Sequence, residues 1–133
     1  MKAILISFML AVAMPALAQE RIAEIEATIK SQLNAFHADD FDTAFTYASP
    51  NIKRLFGSPD RFGMMVKNGY PMVHRSVDLE FIEIRRQGSF LFQKVKITDA
   101  NGIPYFMEYN MIETSAGWQI DGVQLLTEPQ VGT

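Results

Sequence analysis

Apolar positions change their spacing along this chain, and each spacing predicts a different element. Residues 3–13, AILISFMLAVA, are apolar without a polar stripe. Lys2 precedes them and Ala16-Leu17-Ala18 follows, the basic, apolar, small-x-small order of a secretory signal peptide. Cleavage after Ala18 is therefore expected, with residues 19–133 as the mature domain. The run is too short to cross a bilayer, and no later stretch comes closer. From Gln19 to about Phe36 the pattern changes. Ile22, Ile25, Ile29, Leu33 and Phe36 recur at steps of three and four, which predicts a helix with one buried face. Glu26 and Lys30 stand four apart on its outer side, in the favourable order.

Shorter helical patterns follow. Asp39 or Asp40 is placed to cap a helix whose buried stripe is Phe41, Ala44, Phe45 and Ala48. Ser49-Pro50 and Ser58-Pro59 are each a serine cap with proline at the first helical position. Gly57 and Gly69 are expected to end those two helices in the left-handed conformation. The segment GYPMVHR, Gly69–Arg75, then reads as a stiff corner. Pro71 fixes the turn and holds Tyr70 extended, while Met72 and Val73 plug the space below.

Beyond it the period is two. VDLEFIEIRR, SFLFQKVKIT, IPYFMEYNMIE and WQIDGVQLL are strands separated by QG, DANG and TSAG. A Gln87-Gly88 turn would set Ile84 against Leu91. An Ala100-Asn101-Gly102 loop would set Ile97 by Tyr105, Val95 by Met107 and Lys94 by Glu108. A Ser115-Ala116 turn would set Met111 by Ile120. These joints agree on one buried face: Ile82, Ile84, Leu91, Val95, Ile97, Tyr105, Met107, Tyr109, Met111, Trp118 and Ile120. Parity fails between Phe81 and Ile82 and again between Ile120 and Val123, so a bulge is expected at each. Helices followed by a strongly bent four-stranded antiparallel sheet make an α+β fold with a conical pocket at its open end.

Composition removes several functions. The chain holds no cysteine and only two histidines, with a net charge of −3 that becomes −4 once Lys2 leaves with the leader. Without a basic run, nucleic acid is not an expected partner. Without thiols there is no disulfide framework, thiolate site or haem attachment, and no helical face pairs histidine with carboxylate for a metal. No cofactor is expected. An exported chain without disulfides suits the bacterial periplasm.

FGSPDRFGMMVKNGYPMVHR with YNMIETSAGWQIDGVQLL resembles a bacterial family known as domain of unknown function 4864 across the whole mature chain. GWQIDGVQLL is also similar to the last strand of the nuclear-transport-factor-two-like, SnoaL-like or cystatin-like, cone fold. The resemblance implies that fold and an exported bacterial protein, and it carries no activity.

Cone-fold isomerases use an inward carboxylate with a nearby O–H donor. Here Asp78, Glu80, Glu108 and Asp121 have outward parity, Glu113 is at a frayed strand end, and Asp39 and Asp40 read as caps. That chemistry lacks its base. His74 is the remaining acid–base candidate, since imidazole ordinarily titrates near neutrality, but no acid in the sequence pattern orients it. His37 reads as a partner for the dipole of its own helix. The leading expectation is a small apolar ligand held among Tyr70, His74, Tyr105, Tyr109 and Trp118, without catalysis. The alternatives are an enzyme working through His74 and a tyrosine, or a protein–protein module. Phe90, Phe92, Phe106 and Ile112 fall on the outer sheet face and are expected to form an interface, with a homodimer as the hypothesis.

Overall fold

The computed structural model describes residues 16–126. In order, it contains α1 (Ala16–His37), α2 (Phe41–Thr46), α3 (Pro50–Phe56), α4 (Pro59–Gly69) and α5 (Pro71–His74). The strands β1 (Asp78–Gln87), β2 (Phe90–Thr98), β3 (Pro104–Thr114) and β4 (Gly117–Leu125) follow. They form one antiparallel sheet in sequence order. Helices first and a curved meander second is the α+β arrangement the spacing predicts. α1 begins inside the stretch read as the end of the leader, and residues 1–15, which carry the rest of it, lie outside the described residues.

The predicted stripe of α1 is buried at Ile25, Ile29, Leu33 and Phe36, and it packs on the inner sheet face through Val95, Ile97, Met107, Tyr109 and Met111. Asp40 caps α2 by accepting from the Thr43 amide; Asp39 does not cap it. Ser49 and Ser58 cap α3 and α4, each followed by proline. Gly57 takes the left-handed conformation at φ 80°. Gly69 does not, because α4 is ended by Tyr70 at φ −134°, a residue that Pro71 keeps out of the helical region. The corner is itself one more turn of helix, α5, which the sequence pattern missed.

β2–β3 and the β3–β4 hairpin have the expected register: Ile97 pairs with Tyr105, Val95 with Met107, Lys94 with Glu108 and Met111 with Ile120. β1–β2 differs. Its turn residues are Gly88-Ser89, so Gln87 pairs with Phe90 and Ile84 with Gln93 rather than Leu91. Gly88 has φ 63°, and a glycine in the first central position suits a two-residue hairpin better than a glutamine. Both predicted bulges are present. Register shifts between Phe81 and Glu83, and β4 carries an extra residue, Asp121, opposite the Asn110–Met111 step. At the first bulge Ile82 is turned outward and is 42% exposed, so it is not part of the buried face; Leu79, Phe81 and Ile84 pack inward instead.

Candidate functional site

The second bulge shapes the site. Strict alternation after Ile120 would turn Val123 outward, but the extra residue Asp121 restores it to the inner face, opposite Tyr109. The bulge is clamped from the helical side. Ser49 Oγ donates to Asp121 Oδ1 at 2.6 Å and accepts from the Ile52 amide at 3.2 Å, while Asn51 Nδ2 donates to the same carboxylate oxygen. Backbone bonds from Ser49 N to Ile120 O and from Ile120 N to Tyr47 O tie the start of α3 to β4. One fully buried serine therefore caps a helix and fixes where that helix meets the sheet.

Between these elements lies a cavity of about 230 Å³. Ile120, Gly122 and Val123 form its β4 side. Ile52, Leu55 and Phe56 come from α3, Met65 and Val66 from α4, and Gln32 and Phe36 from α1. Phe62 is the hub of the helical wall, with ring centroids 5.7 Å from Phe36, 5.4 Å from Phe45 and 5.6 Å from Phe56. Leu55, at 73% exposed, marks the mouth, and Gln32, at 2%, the interior. Among the described residues the lining holds no charged side chain; Gln32 and Tyr70 are its polar ones.

Of the residues expected to hold a ligand, Tyr70 lines this cavity and the others lie elsewhere. Tyr109 is wholly buried in the core, and its hydroxyl has no partner among the described residues; burial raises its pKa. Tyr105 is half-buried, paired with Ile97. Trp118 is buried at the start of β4, where its backbone amide donates to Glu24 Oε1. It borders a second, more polar cleft shared with Arg21 and Arg86.

His74 is not alone. Its Nε2 lies 2.6 Å from Asp39 Oδ1, and Arg75 Nη2 lies 2.8 Å from Asp39 Oδ2. An ionised carboxylate only accepts, so the imidazole proton is on Nε2. The Arg75 and His74 hydrogen bonds hold the Asp39 carboxyl down to about 2. Arg75 Nη1 also donates to Phe36 O and His37 O, carbonyls at the end of α1; Phe36 O accepts from the Asp39 amide as well. The cluster ties α5 to the end of α1, and the reading of His74 as lacking an orienting acid is corrected. Asp39 has φ 56° and stands 35 positions before its partner, so local pattern could not expose it.

On the outer face, Phe90 and Phe92 lie 6.4 Å apart. The Arg85 guanidinium sits 4.3 Å over Phe92 and Lys94 Nζ 5.7 Å from the Phe106 ring, so cations partly cover this patch. Arg85 also pairs with Glu108, and Lys96 with Glu80. Ile112 is half-buried. Among the described residues no group of three or more His, Asp or Glu is arranged to hold a metal, and no helix is long and apolar enough to cross a membrane.

Solved structures share this architecture. A SEC-C motif containing protein from Rhodopseudomonas palustris superposes with a TM-score of 0.56 at 18% identity, over 85% of this chain and 88% of that one. A phospholipid-binding protein from Ralstonia solanacearum, in complex with a phospholipid, gives 0.50 at 9% identity over 79% and 77%. An NTF2-like protein of unknown function from Shewanella baltica gives 0.50 at 14% over 84% and 97%. At such identities the likeness is one of fold. No match was found among functionally curated proteins. The sequence itself is decisive: residues 18–133 match the domain of unknown function DUF4864, and the chain belongs to that family.

Proposed function

We propose that this protein is exported, loses its leader after Ala18, and binds a small apolar molecule without catalysing a reaction on it. The observation that carries the reading is the cavity of about 230 Å³, walled by Phe36, Ile52, Phe56, Val66 and Val123 and free of charged side chains among the described residues. Apolar surface buried there contributes roughly 25 cal/mol per Å². A phospholipid-binding protein of the same fold supports an apolar occupant.

Catalysis is disfavoured by position. The buried histidine has its Nε2 committed to Asp39, and neither residue lies on the cavity wall. A general base needs to reach the proton it removes.

Calorimetric titration with short-chain alkyl compounds tests the reading, with Val66→Phe as the blocking variant. Val66 is buried on the cavity wall, and the added ring would take up the space. Binding by the wild type and its loss in a folded Val66→Phe protein is the expected result. Equal binding by both would place the ligand elsewhere. For export, N-terminal sequencing of protein recovered from the periplasmic fraction should begin at Gln19; an intact Met1 in the cytoplasm would refute it.

A further inference from the structure

The size and the polar inventory of the cavity restrict its ligand further, on the reading that this cavity is the binding site. Drug-sized pockets run to roughly 300–1,000 Å³, and this one is about 230 Å³. It has room for a single short chain and not for a whole two-chain lipid.

Gln32 determines the polar end. Its side chain is on the cavity wall and the residue is 2% exposed. Its Nε2 donates to Ala44 O at 3.2 Å, which fixes the orientation of the carboxamide because a carbonyl needs a donor. Oε1 and the second Nε2 proton are then the groups left to offer, and among the described residues no donor meets Oε1. A carboxamide so placed is matched by a group that both donates and accepts. A hydroxyl does so, and so does another carboxamide. A carboxylate can only accept, and it would leave water for a wall with no cation to meet it.

We infer that the cavity takes a single-chain, neutral-headed amphiphile, of the alcohol or primary-amide class, with its head inward on Gln32 and its tail toward Leu55. The direction follows from burial: of the two lining residues Gln32 is 2% exposed and Leu55 73%. This is the reverse of a lipid carrier that leaves a charged head in water.

Three ligands of equal chain size separate the possibilities by calorimetry on the purified protein. 1-Octanol donates and accepts, heptyl methyl ether only accepts, and octanoate at pH 7 is charged. 1-Octanol is expected to bind about tenfold more tightly than the ether, since a buried acceptor left unmet costs about that much, and octanoate should be the weakest. In Gln32→Leu the preference for alcohol over ether should fall to about one. Should that variant fail to fold, the wild-type ratio decides alone. Equal affinity for alcohol and ether, or tightest binding of octanoate, overturns the inference about Gln32 and leaves the cavity as the site. Binding of none of the three overturns both.

Discussion

Asp39 and His74 stand 35 positions apart in the sequence and 2.6 Å apart in the fold, with Arg75 on the other carboxylate oxygen. The contact converts a histidine that looked isolated into a tie between the end of α1 and the corner before β1. It also anchors the segment GYPMVHR. Pro71 starts a short helix, Met72 and Val73 are buried beneath it, and His74 and Arg75 anchor its far end.

The Asp39 contact has a pH signature. Its carboxyl ordinarily titrates at 3.8 and here is lowered to about 2, chiefly by the Arg75 and then the His74 hydrogen bond. A depressed carboxyl stabilises the fold above pH 3.8, and that contribution is lost as pH falls through about 2. Asp39→Asn keeps a residue type that tolerates φ 56° and removes the charge. The difference in urea midpoint between wild type and variant should therefore shrink across that acid window. A difference independent of pH would mean that the ion contacts do not stabilise the fold.

Ser49→Ala tests the clamp on the second bulge. It removes the α3 cap and the bond to Asp121, with an expected loss of about 1–2 kcal/mol by chemical denaturation. Because Ile52 and Leu55 ride on α3, ligand affinity should fall as well. Unchanged affinity in the destabilised variant would separate the clamp from the cavity.

Gly63 lies inside α4 against the Phe41 ring, and a Cβ there would overlap that ring. Alanine is the better helix former by about 1 kcal/mol, but the overlap displaces a ring already packed near Phe36 and His74. Overpacking costs roughly 1–3 kcal/mol. Gly63→Ala is expected to lower Tm; a higher Tm would show that Phe41 moves aside freely.

Tyr109→Phe should behave in the opposite way. Among the described residues its buried hydroxyl meets no partner, so its loss removes a desolvation cost and no hydrogen bond. The variant should be as stable as wild type or more so, by up to about 1 kcal/mol. A clear drop in Tm would point to a bound water or ligand on that hydroxyl.

Alternation and loop length were legible because they are local. A strand's faces alternate by covalent geometry, and a loop of given length joins two strands in few ways, so the pairings of Val95 with Met107 and Met111 with Ile120 could be read directly. Both bulges were visible as parity breaks. The turn read at Gln87-Gly88 lies at Gly88-Ser89 instead, with glycine in the positive-φ position, and this moves Ile84 to Gln93. Only the tertiary structure could decide which side chains meet across distance. It gave Asp39 to His74 instead of to α2, clamped Asp121 to Ser49, and brought Gln32 of α1 to the cavity shared with Ile52 and Val123. Those contacts join elements far apart in sequence, and chain pattern carries no signal for a partner that only packing brings near.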